Sequence, residues 1–369
     1  MMLESACKTL LMVGALPLFM LLGAPRASAQ QDITSIYRSA AFLGRGDTGI
    51  ATADDQDAIF YNPAGLAQGK GIYKKTVLLS PEVEISKATK DLARRLGSQN
   101  SDAVDTVRDN IGKPNHFGLS DFTGIVLRRA ALGVVDASHI DLLAHKAPDQ
   151  GGLEVLDASA DQTLGATFSL ADGFLDNKLM LGATTKYLYR GRGRVSASIA
   201  EADKIQDELK DQSKFLAMGQ GIGADLGLMY QGGGAINPSF GLTVNDAGDT
   251  HIKPTSATDL DLDVLQTVNV GVSIEPGTGF SKLKLLADIH DVLGRVIKNN
   301  RKKLHLGAEL SVEDMLGATV GLNEGYPTAG LYFDLYLVRV DLGMYTEEIG
   351  DRVGTRPDSR YFMRIETGF

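Results

Sequence analysis

Few residues in this chain are equipped for chemistry. Gly44, Gly46 and Gly49 spell GxGxxG, a pattern that in dinucleotide folds lets the backbone approach a pyrophosphate at a helix start. No parallel-strand run precedes it, so a nucleotide site is not expected, and Arg45-Gly46-Asp47 reads as a chance tripeptide. Asp54, Asp55 and Asp57 could offer oxygens to a hard cation. They lack the downstream Gly and Glu of a helical calcium loop, and salt bridges to arginines elsewhere are the better expectation. Asp288 and His290 sit at strand spacing on one face, a geometry that suits a metal pair, but no third ligand is evident. No serine occupies a nucleophile elbow, and the 6 histidines assemble no His-Asp-Ser arrangement. The sequence thus predicts no catalytic residue, no metal and no cofactor, and the chain is not expected to be an enzyme.

The ends and the composition say where such a chain works. Lys8, an apolar run from Leu10 to Leu22, Pro25 and the small-x-small Ala27-Ser28-Ala29 have the layout of a cleaved signal peptide over residues 1–29. The single cysteine, Cys7, leaves with it and is not placed for lipidation, so the mature chain is expected to have neither a disulfide nor a thiolate metal site. With 42 glycines, 11 prolines and no tryptophan, and with no later stretch apolar enough for a transmembrane helix, the mature chain reads as one large β domain. A formal net charge of −9 argues against a nucleic-acid partner.

From Leu164 onward the dominant period is two. Leu179, Leu181, Ala183, Thr185, Tyr187 and Tyr189 share one face, and Met180, Gly182, Thr184, Lys186, Leu188 and Arg190 the other. The same split recurs from Ile222 to Tyr230, Val268 to Ile274, Leu304 to Leu310 and Leu316 to Leu322. The second face carries small polar residues and isolated charges, among them Lys186, Arg190, Asp225, Glu309, Arg339, Arg364 and Glu366. The first face is uncharged through most segments. Lipid outside and a wet or plugged lumen inside produce that arrangement, because a charge on the lipid face costs about 2 to 4 kcal/mol at the midplane. Short and long connections alternate along the chain, as they do in bacterial barrels. Together these features predict an all-β fold: a transmembrane antiparallel barrel of about fourteen strands over residues 71–369. Two long connections, 86–111 and 196–215, have helical period and predict short amphipathic surface helices. The last strand alternates from Tyr361 to Phe369, ending on an aromatic residue, and resembles the signal that the outer-membrane assembly machinery reads.

Between signal and barrel lies a segment of about residues 30–70 containing ATADDQDAIFYNPAGLA. It resembles the N-terminal hatch of the FadL family of outer-membrane long-chain fatty-acid transporters and of its PorV-like relatives. Asn62-Pro63-Ala64-Gly65-Leu66 carries the likeness, preceded by Asp54, Asp55, Asp57 and Phe60. Asn-Pro followed by Gly favours a compact turn, which suits a chain folding back inside a barrel. Gly321-Leu322-Asn323, Gly325 to Gly330 and YTEEIGDRVGTRPDSRY resemble the closing strands of the PorV-like branch. The resemblance implies a fourteen-stranded barrel and an internal plug.

Two functions follow as expectations. The first is a passive outer-membrane channel for small hydrophobic molecules such as fatty acids, with the hatch as gate. The second is a PorV-like docking or assembly barrel that binds a secreted or surface protein through its loops and transports nothing. The expected partners are outer-membrane lipid, the barrel assembly machinery and either a small hydrophobic ligand or a protein at the surface loops.

Overall fold

The alternation of greasy and polar residues becomes one closed antiparallel sheet. A computed structural model describes residues 36–69, 71–96, 107–147, 151–199, 216–255, 257–278, 281–313, 315–350 and 352–369. The expected signal segment and most of the second helical connection, 200–215, lie outside these residues. The first described segment contains two short helices, α1 (Ala40–Leu43) and α2 (Ala58–Tyr61), and a 3-10 turn at Pro63–Ala67. Strand β1 follows in two pieces, Tyr73–Leu79 and Glu82–Ser86, and α3 (Lys87–Leu96) lies in the first long connection.

The remaining strands are β2 (Pro114–Leu127), β3 (Ala130–Ala147), β4 (Leu153–Phe174), β5 (Leu179–Ser198), β6 (Ala217–Gln231) and β7 (Ser239–Asn245). They continue with β8 (Thr267–Ile274), β9 (Ser281–Ile289), β10 (Leu304–Val312) and β11 (Leu316–Asn323). The series ends with β12 (Tyr326–Asp334), β13 (Val338–Glu348) and β14 (Pro357–Gly368). Each pairs with its neighbours in sequence, and β14 returns to β1 through Gly368 opposite Val77 and Met363 opposite Val83, closing a fourteen-stranded barrel. Phe369 exchanges both backbone hydrogen bonds with Thr76, at 2.7 and 3.1 Å, so the last residue helps to knit the seam.

The break in β1 has a local cause. Pro81 has no N–H to give a ladder, and the Asp121 side chain takes the Ser80 N–H at 2.7 Å while the Pro81 carbonyl accepts from Ile365 at 3.0 Å. The turn after β12, which lacks glycine, closes with Tyr336 at φ 71° and with Asp334 accepting its N–H at 3.1 Å.

The outward face stays uncovered: Ile222 is 70% exposed and Val320 57%, and Leu132, Leu226, Leu331 and Met363 are exposed as well. Within the described residues no second sheet lies over these side chains, since a single sheet holds every strand. Only hydrocarbon satisfies such a belt while the closed ladders satisfy the backbone. Strands β3 to β5 have 18, 22 and 20 residues, where about 9 to 11 suffice to cross. The wall therefore rises beyond the membrane on the side of the long connections.

Candidate functional site

Inside the barrel lies the N-terminal segment, residues 36–69, where the hatch is expected, and its local structure explains how it fits. Pro63 begins the 3-10 turn, where its missing N–H costs nothing. Asn62 caps the turn by accepting the Ala64 N–H at 3.2 Å, and its amide donates to the carbonyls of Ile50 at 2.8 Å and of Leu228 in β6 at 3.1 Å. A Cβ at Gly65 would collide with the Ala53 carbonyl, so only glycine fits there. On the wall, Cβ atoms at Gly182 and Gly227 would strike the Asn62–Ala64 segment. These two inner-face glycines are the recess into which the turn is set. Leu66 is fully buried, and its carbonyl accepts the Arg129 N–H at 3.1 Å.

One side of the hatch rests on an apolar sector of the inner wall. Phe60 stands between Tyr37, at 4.7 Å between ring centroids, and Phe122 of β2, at 5.8 Å edge to face. Val77 of β1, Val126 of β2 and Ala131 and Val135 of β3 complete the cluster, all at most 3% exposed. Aromatic pairs of this geometry contribute about 0.5 to 1.5 kcal/mol beyond their area.

A second sector, running from the β14–β1 seam round to β9, is ionic. Arg364 of β14 pairs with Asp341 of β13 at 2.9 Å, lies 3.6 Å from Asp57 and 3.8 Å from Glu366, and donates to Ser39 at 3.0 Å. Ser39 in turn donates to Asp57 at 3.0 Å. Glu366 accepts from Lys75 and from Gln56 of the hatch. Glu309 of β10 holds Arg45, and Arg339 pairs with Asp341 at 2.9 Å. Backbone groups of the hatch are also bound to the wall: Asp288 accepts from Gly49 and Ile50 at 2.7 and 3.0 Å, and Glu82 accepts from Ala40 at 2.9 Å.

The remaining expected residues fall elsewhere. Asp54 is exposed, and half-buried Asp55 caps the Asp57 N–H at 3.0 Å. Lys186 pairs with Asp225 and Asp246 at 2.8 and 2.9 Å, and Arg190 with Asp161 at 2.8 Å. Those two groups join wall to wall and wall to the β7–β8 connection. Tyr361 and Phe369 point outward. Several partners carried no signal in the sequence, among them Ser39, Lys75, Glu82, Asp161 and Asp246. Met180 and Leu188, on the otherwise polar face, pack against Ala64 and Ala67 and against Ile36 respectively. An apolar residue that breaks the inward pattern is thus a mark of plug contact.

No known family profile matches the chain, and no characterised protein matches it by sequence. Among solved structures it is similar to the Pseudomonas putida toluene transporter TodX, at 12% identity and TM-score 0.49 over 89% of this chain and 97% of that one. The CymD monoaromatic hydrocarbon channel gives 12% and 0.49 over 88% and 95%. The translocator domain of the autotransporter NalP from Neisseria meningitidis gives 11% and 0.33 over 80% and 87%. At these identities the likeness says nothing about the side chains of the site.

Proposed function

We propose that this protein is an outer-membrane channel for small hydrophobic molecules, kept shut by its hatch. The observation that carries the reading is the apolar sector. Phe60 and Tyr37 cover Phe122, Val126 and Val135, and lifting them uncovers an apolar surface on the inner wall. An apolar ring or acyl chain can replace the hatch aromatics there with little change in buried area. The class extends to fatty acids by the resemblance of residues 51–67 to the transporter hatch.

Proteoliposome uptake tests it. A labelled monoaromatic hydrocarbon and a labelled fatty acid are offered to the mature chain and to a variant lacking residues 54–66, each first shown to be a folded barrel by heat-modifiable migration. Uptake above empty liposomes, and faster in the deletion, is expected. No uptake of either probe in either protein would sink the channel.

One observation favours the docking barrel instead: the hatch is tied to the wall by Arg364, Glu309, Glu366 and Asp288 together, a density of ties suited to a permanent plug. In that reading the long connections, including α3, receive a protein. Cross-linking in outer membranes followed by pull-down is expected to return one reproducible surface partner, and an empty result counts against it.

A further inference from the structure

Two wall histidines and one hatch carboxylate converge at the long-connection end of the lumen. His290 follows β9 directly and His305 lies at the start of β10. Their rings stack at 3.9 Å between centroids and 21° between planes. Asp47 comes from the hatch, and its carboxylate and one nitrogen of each ring all lie within 4.8 Å of one another.

The tautomer of His305 is set by its neighbour. Its Nδ1 lies 2.9 Å from the carbonyl oxygen of Gly46, which can only accept, so Nδ1 carries the hydrogen and Nε2 presents a lone pair. That Nε2 is buried without a hydrogen-bond partner, in a residue 3% exposed. His290 Nε2 is likewise buried and unpartnered; Asp288 Oδ2 is 3.9 Å away, beyond hydrogen-bond range. Leaving such an atom unsatisfied costs about 1 to 3 kcal/mol, and here two lie side by side. The carboxylate beside them is fixed by the Tyr61 hydroxyl, which donates to Asp47 Oδ1. Asp47 also adopts a left-handed backbone, φ 60°, the kind of local cost that functional sites retain.

We propose that Asp47, His290 and His305 bind a divalent transition-metal ion of the zinc type. Two imidazoles and one carboxylate are a zinc donor set with a fourth position left for water, and the nitrogen donors select against calcium and magnesium. Ligand atoms in a tetrahedral zinc shell stand about 3.3 Å apart, so the two stacked rings must turn toward a common point for both nitrogens to meet one ion. The Gly46 carbonyl orients His305 as outer partners of metal-bound histidines commonly do. Arg38, whose charge reaches both imidazoles, is neutralised by Glu347 at 3.0 Å. Because Asp47 belongs to the hatch and both histidines to the wall, the ion clasps one to the other. The inference stands whether or not the barrel conducts anything.

The test uses tag-free mature protein in detergent, stripped with chelator and titrated with zinc chloride, then with calcium chloride. One zinc and no calcium per chain are expected. Asp47→Asn, His290→Gln and His305→Gln should each weaken zinc at least about tenfold, with folding checked by heat-modifiable migration. His251→Gln, which removes the exposed histidine paired with Asp263, should leave the titration unchanged. Should a variant fail to fold, copper(II) bound to the unaltered chain decides by electron paramagnetic resonance, where hyperfine coupling to two imidazole nitrogens is expected. Substoichiometric zinc, zinc affinity that survives the loss of both histidines, or a copper signal without nitrogen coupling would each overturn the site.

Discussion

At Val77, Phe122, Val126 and Val135 the hatch is held by aromatic and aliphatic packing, and at Glu82, Asp288, Glu309, Arg364 and Glu366 by ions and directed hydrogen bonds. The two contacts differ in what can replace them. A packed ring can be exchanged for another apolar body, because burial is non-directional and scales with area. An arginine among Asp57, Asp341 and Glu366 accepts no such substitute, since Asp57 would be left buried without a cation. If the barrel is the proposed channel, the apolar sector is where a ligand would displace the hatch, and the ionic sector is where the hatch would keep its register.

The largest effect expected comes from removing the ionic hub. Arg364→Leu leaves buried Asp57 without a cation and should cost about 3 to 5 kcal/mol, read as a lower temperature for loss of the heat-modifiable form. Adding Asp57→Asn to the same variant should restore most of the loss. A single variant that melts like the parent would mean that the ionic sector is not what fixes the hatch.

Phe60→Ala attacks the other sector, at about 3 kcal/mol. Its diagnostic feature is rescue. A cavity lined by Tyr37, Phe122 and Val135 is apolar enough to take benzene, so benzene should raise the transition of Phe60→Ala and leave that of Arg364→Leu unmoved. Equal response in both would erase the distinction between the sectors.

The outer wall gives the scale for both. Val320→Arg, at mid-strand on the lipid face, should cost about 2 kcal/mol by detergent-to-lipid refolding titration. Serine in place of the inward Thr319 should cost less.

That two-faced wall is what the sequence displays most openly. In β5 every second residue from Leu179 to Tyr189 faces outward, and the period survives because a charge there costs about 2 to 4 kcal/mol at midplane. The strand number and the turn positions follow from the same pattern. The site was far less legible. Arg45 and Glu309 meet across 264 positions, and which carboxylate meets which arginine depends on the depth to which the hatch sinks. Depth is set by where Gly182 and Gly227 leave room, and in sequence these two look like any other small residue of a lumen face. For the same reason Asp288 and His290 could be seen as neighbours while Asp47 and His305, which complete their cluster, could not.

The smallest change in the global transition is expected at a carboxylate that departs from the ionic sector's rule. Glu324, in the turn between β11 and β12, is buried beside the like charge of Glu347, and Lys302 comes no nearer than 3.8 Å. Burial first, and Glu347 second, push its carboxyl up to about 7. A raised carboxyl pKa means that the folded turn binds its proton more tightly than the unfolded chain does, so protonation stabilises it. The turn should accordingly be firmest below about pH 4.5, the free value, and loosen as pH climbs through 7. Hydrogen exchange at Glu348, whose N–H donates to the Glu324 carboxylate at 2.8 Å, should report that loosening after correction for intrinsic rates. Glu324→Gln should flatten the dependence, because an amide cannot titrate. A turn that instead tightens as the pH rises would mean that Lys302 outweighs Glu347, which would bring Glu324 back under the rule that Arg364 illustrates.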